Sequence, residues 1–404
     1  MPAAELAPRA QWTLAALQLM SWGSFFYAFS VLALPMEVEL GWSRPATMMA
    51  MSLALVVAGL LAPTVGHAID RGHGRRVMTC GSILGAAMLL IWSASSAKPI
   101  LYAAWTGLGA AQAMTFYDAG FAALTRRLGG GAPRAIMRMT LLGGFAGTVF
   151  IPLTGWLADT CGWRGALMIL AAINLLAAAP LHWLVLAGDR VEPVAEGQAT
   201  PRGASMGALR QRAFWMLVVT FCTWSLAFGS LTFHLLPLLA ERGVSDAVGI
   251  ALLASVGPLQ IAGRVGLMLH RGAMPARLLG RALTVMLVAA VLILYAAGAN
   301  IWLIAAGVAL YGVANGMVTI LRGIAVADYL GVAGFGRKSG MISAINGFAL
   351  ALAPYLAGLL WTGGGYGLVL AGLAAAAATG ALAFWSLPAA GSAAERPETS
   401  ASRN

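Results

Sequence analysis

Three ionisable side chains fall inside stretches too apolar to hold them without cause: Asp118, Arg264 and Arg322. A charge at the centre of a bilayer costs at least about 2.5–3.5 kcal/mol on insertion scales, so such residues usually face a cavity or a partner. Arg264 carries a planar guanidinium that stays protonated and can grip a carboxylate through two hydrogen bonds. Asp118 supplies a carboxyl that a low-dielectric site can turn into a proton carrier. With Arg322, the C-terminal half holds two intramembrane cations and no intramembrane acid, and the N-terminal half holds one acid. A cavity of that net sign favours an anion. Arg264 and Arg322 are read as anchors for it or as structural partners of Asp118. Tyr27 and Tyr117 can donate to a carboxylate or pack with their hydroxyls satisfied. His234 is an outer-gate hydrogen bonder, a proton site or a satisfied histidine between helices. Asn315 suits interhelical bonding and is also a site candidate.

The elements that must position these groups are membrane spans. Of 404 residues, 60% are hydrophobic and only 10% charged, against about 25% charged in a soluble domain. A soluble enzyme, a disordered chain and a disulfide-stapled secreted module are all excluded. Cutting at charges, Pro and Gly leaves twelve stretches near the 20 or so residues that a spanning helix needs. They run from Trp12–Leu34 to Gly367–Leu387, with Ile100–Leu124 fourth, Ala213–Leu239 seventh, Val248–Leu269 eighth and Ile301–Ala327 tenth. The long polar interruption near Pro193 and Pro201 divides them six and six. The expected organisation is an N-terminal six-helix bundle over 1–187, a cytoplasmic linker over 188–211, a C-terminal six-helix bundle over 212–390 and a disordered cytoplasmic tail over 391–404.

The net charge of +11 comes from 25 Lys and Arg against 14 Asp and Glu. Nineteen of those cations fall on one side of the spans and four on the other. That bias places both termini in the cytoplasm and explains the charge without nucleic acid. The expected location is the cell inner (plasma) membrane. Cys80, Cys161 and Cys222 are scattered, with no metal-ligand spacing. There is no GxxxxGK[ST] phosphate loop, and no nucleophile–base set or metal cluster within the spans, so an enzyme is not expected and no cofactor is implied.

The two halves repeat. Pro35, Glu39, Gly41 and Ser43 recur as Pro237, Glu241, Gly243 and Ser245, an offset of 202. Gly109, Gln112, Met114 and Gly120 match Gly312, Asn315, Met317 and Gly323 at 203. The loop Gly66-x3-Asp70-Arg71-Gly72 matches Gly266-x3-His270-Arg271-Gly272 at 200. Parallel six-helix repeats suggest a rocker around a site at the bilayer midplane.

Six plus six spans, a long central loop and the segment Gly66 to Arg76 resemble the major facilitator superfamily. Its helix 2–3 motif, Gly-x3-Asp-Arg-x-Gly-x-Arg-Arg, is matched at Gly66, Asp70, Arg71, Arg75 and Arg76 and departs at His73, between Gly72 and Gly74. The resemblance implies an all-α membrane protein of twelve transmembrane helices in two pseudo-symmetric six-helix bundles. Asp70 would latch the cytoplasmic side by accepting from arginines and from a helix N-terminus. The segments Glu39 to Arg44 and Ala262-Gly263-Arg264 resemble the monocarboxylate-transporter-like branch, in which a helix 8 arginine pairs with the substrate carboxylate. Arg264 matches it. The acid expected four residues earlier is Gln260, and helix 1 has no lysine.

In that fold helices 4 and 10 approach at the cytoplasmic mouth, so Asp118 and Arg322 are read as a gating or coupling pair, or a static one. The expected function is secondary transport of a small organic anion, a monocarboxylate, coupled to protons by alternating access. The alternative is efflux of a lipophilic drug or toxic metabolite. A monomer in the lipid bilayer is expected.

Overall fold

The computed structural model of the chain describes residues 7–187, 207–269 and 274–388. The expected linker is described only from residue 207 onward, and the expected tail over 391–404 and the second loop repeat at His270-Arg271-Gly272 lie outside the described residues. Every regular element among the described residues is helical. In the first half these are α1 (Pro8–Trp22), α2 (Ala28–Leu40), α3 (Arg44–Ala68), α4 (Gly74–Ser93), α5 (Lys98–Thr115), α6 (Tyr117–Leu128), α7 (Ala132–Gly143), α8 (Ala146–Ile173) and α9 (Ala179–Val185). In the second they are α10 (Arg212–Glu241), α11 (Asp246–Leu269), α12 (Ala276–Ala296), α13 (Ile301–Leu330) and α14 (Phe335–Trp385).

The helix starts follow from local chemistry. Proline stands in the first turn of α1, α3, α5 and α7, where its missing N–H has no intrahelical acceptor to lose. At α13 the Asn300 side chain accepts from the amides of Trp302 and Leu303 at 3.0 and 3.3 Å, a cap of the usual kind. Among the described residues, eight continuous helical stretches are long and apolar enough to cross a membrane. Three run on through kinks. Met49–Ser93 holds two crossings, Lys98–Val185 three and Phe335–Trp385 two, which brings the total to twelve.

The chain divides into two compact units, Met1–Ala199 with Gly336–Gly347, and Thr200–Phe335 with Phe348–Asn404. The core of the first is aromatic. The Trp105 ring meets Phe29 edge-on at 4.6 Å and Trp92 at 5.0 Å, and the Trp92 indole N–H donates to Met36 Sδ at 3.3 Å. In the second, α12 packs through Gly280 against the buried Phe384 of α14.

The start of α14 belongs to the first unit because small residues let it cross α3 at backbone contact. Gly66 faces Gly336, Ala62 faces Gly340, and Gly59 faces Ala344. A Cβ on Gly66 would fall inside the Gly336 carbonyl, and one on Gly340 would run into Ala62 and Pro63. The seam opens toward Gly59, where a Cβ would find Ala344 at an ordinary 3.8 Å.

The repeat is visible in the backbone. Gly162 (φ 71°) and Gly365 (φ 65°) hold the left-handed turns of matching hairpins, 203 residues apart. Each turn is tied by the glutamate that the sequence repeat aligns. Glu39 accepts from the Trp163 indole N–H at 2.6 Å and pairs with Arg164. Glu241 accepts from the Trp361 indole at 3.0 Å and from the Tyr366 amide at 3.4 Å.

Gly66→Ala is expected to lower the thermal unfolding temperature of the purified protein, at the about 1–3 kcal/mol typical of overpacking, while Gly59→Ala leaves it unchanged. The Glu39 clamp gives a pH signature. The Arg164 and Trp163 hydrogen bonds hold the Glu39 carboxyl below the usual glutamate range. The folded state therefore binds fewer protons there than the unfolded chain. Its stabilisation is complete above the ordinary glutamate pKa and is lost as pH falls through the depressed folded value. Melting temperature measured against pH should fall less steeply in acid for Glu39→Gln than for the natural chain.

Candidate functional site

In the first unit two helices are interrupted side by side. α1 passes through a π-helical turn, Gly23–Tyr27, before α2. α5 ends at Thr115, Phe116 is extended (φ −76°, ψ −174°), and α6 starts at Tyr117. Such interruptions strand backbone carbonyls, which hydrocarbon does not tolerate unless protein or a cavity receives them. Two glutamines meet the need reciprocally. Gln18 of α1 donates its amide to the Thr115 carbonyl at 2.6 Å, and Gln112 of α5 donates to the Phe25 carbonyl at 2.9 Å.

An aromatic wall stands over these breaks. Trp22 stacks on Phe116 with ring centroids 4.0 Å apart, and Phe26 meets Trp22 edge-on at 5.4 Å. Trp22 Nε1, Ser21 Oγ, Ser24 Oγ and the Oε1 atoms of Gln18 and Gln112 are buried with no hydrogen-bond partner among the described residues. Buried polar atoms are normally paired, so their concentration beside two broken helices marks a place for water or a ligand. Broken spans are the usual scaffold of transporter sites, and π turns recur at functional ones.

Of the candidates in this unit, Tyr27 packs over Gly147 of α8, and the Tyr117 hydroxyl lies against Gly143 at the end of α7. Asp118 sits in the first turn of α6, where a carboxylate suits the helix dipole, and accepts from Ser339 Oγ at 3.3 Å.

At the other end of the seam, Asp70 accepts from the Gly336 and Arg337 amides at 2.8 and 3.0 Å, capping the first turn of α14. Arg126 donates to its backbone carbonyl. Burial pushes the Asp70 carboxyl up, against those two amides and the charges of Arg126 and Lys338. Gly72 takes φ 87°, so the left-handed residue of this loop stands immediately before His73. Arg75 turns away from Asp70. Its Nε donates to the Trp183 carbonyl at 2.8 Å and its guanidinium lies 3.6 Å over the Trp183 ring. Arg71 and Arg76 are exposed.

In the second unit α11 and α13 cross through glycine. A Cβ on Gly263 would lie 2.7 Å from the Val313 carbonyl oxygen, and one on Gly316 would meet the Gln260 backbone. That approach brings Arg264, only 7% exposed, against α13, where its Nε donates to the Gly316 carbonyl at 2.8 Å. Arg322 is half-buried in the same helix. Asn315 accepts from the Trp224 indole of α10 at 3.2 Å.

His234 is held on both sides, with Nε2 3.0 Å from the Pro354 carbonyl and Nδ1 3.0 Å from the Tyr366 hydroxyl. A carbonyl only accepts, so Nε2 carries the proton. His234 is thereby joined through Tyr366 to the Glu241 clamp. The structure thus groups Tyr27, Tyr117 and Asp118 around the first unit's breaks, Arg264, Arg322 and Asn315 on α11 and α13, and His234 with the Gly365 hairpin. Trp22, Ser24, Gln18 and Gln112 stand beside the two breaks, and the sequence did not single them out as site candidates. The two amides, polar groups in otherwise apolar spans, were the available signal.

The family model of the Major Facilitator Superfamily matches residues 14–290, and the chain belongs to that superfamily. It is a multi-pass membrane transporter and not an enzyme. A curated relative, monocarboxylate transporter 13 of Bos taurus, is 29% identical over 254 residues, 61% of this chain and 56% of that protein. The match thus spans just over half of the relative's length. Among solved structures, the human organic anion transporter MFSD10 (TETRAN) superposes with a TM-score of 0.72 at 15% identity, covering 94% of this chain and all of that one. FucP in its outward conformation gives 0.71 at 12%, covering 92% and 97%. Both show the fold.

Gln18→Leu strips the Thr115 carbonyl of its donor. It is expected to cost about 1–3 kcal/mol, read as a lower unfolding temperature in detergent, with Gln112→Leu behaving alike through Phe25.

Proposed function

We propose that this transporter moves a small organic anion, a monocarboxylate, coupled to protons by alternating access. The observation that carries the reading is Arg264: a guanidinium only 7% exposed, inside a spanning helix, five residues before its last residue, Leu269. A permanently charged group so placed needs a compensating anion or strong dipoles, and a carboxylate fits its fork. Arg322 adds a second cation on the neighbouring helix, and Asn315, Tyr27, Tyr117 and His234 add neutral donors and acceptors. Asp118 is the acid that takes up and releases the coupling proton or gates with Arg322.

The monocarboxylate transporter named above supports the substrate class, as does the organic anion transporter. The E. coli relative FucP, described as a fucose:proton symporter, and XylE, described as a proton:xylose symporter, support the coupling. The carrier works as a monomer in the cell inner membrane with both termini cytoplasmic, its two bundles joined by a cytoplasmic linker over 188–211.

A second reading, efflux of a lipophilic drug or metabolite, is favoured by the half-buried aromatic wall of Trp22, Phe26 and Phe116. Thermal unfolding with a ligand panel separates the two. A ligand that binds only the folded state stabilises it by about 2.7 kcal/mol at a hundred times its Kd. Short monocarboxylates are expected to raise the melting temperature of the natural chain and to lose that effect in Arg264→Gln. Stabilisation by lipophilic cations, unchanged in the variant, would overturn the anion assignment in favour of efflux.

A further inference from the structure

The first unit carries a groove of about 260 Å³ between α4 and α9, lined by Thr79, Ile83, Leu175, Ala179, Pro180 and Trp183. Ile83, Leu175, Pro180 and Trp183 are exposed, which in a membrane protein means exposed to lipid. Its walls follow from helical spacing. Arg76, Thr79 and Ile83 form one stripe of α4 at i, i+3 and i+7. Leu175, Ala179 and Trp183 form the facing stripe. Leu175 lies in the π-helical turn Asn174–Ala178 that leads into α9. Behind the groove the two helices are joined by a fully buried polar contact, Ser82 Oγ to His182 Nδ1 at 2.9 Å.

One end of this apolar slot is cationic. The Arg75 guanidinium is fixed over the Trp183 ring by its bond to the Trp183 carbonyl. Arg76 is the next residue and is exposed. Arg127 donates to the Ala187 carbonyl at 3.1 Å, just beyond α9. Thr79 Oγ1 is buried without a partner among the described residues. No acidic residue lines the groove.

We propose that this groove binds one anionic phospholipid from the leaflet that faces the arginine-rich loops. An acyl chain lies against Ile83, Leu175, Pro180 and Trp183, and the head-group phosphate is held by Arg75 and Arg76. A zwitterionic lipid fits the slot equally well but brings its own cation to the arginine end, so charge complementarity selects the anionic one. The bound lipid bridges α4 and α9, in parallel with the Ser82–His182 contact.

The test uses the full chain in detergent, followed by native mass spectrometry and thermal unfolding. The probes are dioleoyl-phosphatidylglycerol, dioleoyl-phosphatidylcholine and inorganic phosphate. Phosphatidylglycerol is expected to remain as a one-lipid adduct and to raise the melting temperature, and the other two are not. Arg76→Gln is expected to weaken the phosphatidylglycerol adduct about fivefold, the effect of one arginine near an anionic surface, with Arg76→Lys retaining it. Ile83→Trp fills the slot and should abolish the adduct. If that variant does not fold, the Arg76 pair decides alone. Equal binding of the two lipids, an unchanged adduct in Arg76→Gln, or an equal shift with inorganic phosphate would overturn the proposal.

Discussion

Hydrocarbon offers no hydrogen bonds, so wherever a spanning helix of this chain breaks, ends or crosses a neighbour, a side chain must answer the backbone. The polar residues of the protein are largely placed by that demand. Gln18 and Gln112 serve carbonyls at the two adjacent breaks. Asp70 serves the first amides of α14. Arg75 and Arg127 serve carbonyls at the end of α9, where cations also suit the dipole. Arg264 adds a bond to a carbonyl of α13. A chain with 10% charged residues has few such groups, and several stabilise irregular backbone while remaining candidates for ligand work.

Duplication has left the same positions solving different problems in the two halves. Trp22 and Gln112 align with Trp224 and Asn315. In the second unit the amide oxygen accepts the indole N–H. In the first the amide turns to Phe25, and the indole stays buried without a partner. The π turn at Gly23–Tyr27 explains the difference, since the carbonyl it strands draws the glutamine. The first unit thereby keeps unsatisfied polar atoms beside an aromatic wall, and the second pairs the equivalent indole and amide.

Much of the fold was legible in the sequence because it depends on composition and period. Span number, the Gly66–Arg76 loop and the Glu39/Glu241 repeat all rest on residue type alone. The breaks were not legible. Thr115, Phe116 and Tyr117 include neither proline nor glycine, so nothing local announces the interruption, and the donor that satisfies its carbonyl, Gln18, lies about a hundred residues away. His234 showed the same limit. Its type left gate, proton site and interhelical bond open, and only tertiary partners, Pro354 and Tyr366, assign both ring nitrogens. The helix 2–3 loop shows a further one. Its consensus glycine position is His73, yet the loop has its positive φ one residue earlier, at Gly72.

The two hairpin clamps, alike in backbone, differ in one residue. After the left-handed glycine and the aromatic residue comes Arg164 in the first hairpin and Gly367 in the second. Glu39 therefore closes a partly exposed ion pair, and Glu241 closes only hydrogen bonds from neutral donors. Dissolved ions screen the former over a Debye length of about 8 Å at physiological strength and have little purchase on the latter. Ionic strength in the surrounding water consequently reaches the two halves unequally, loosening one hairpin and leaving its duplicate closed.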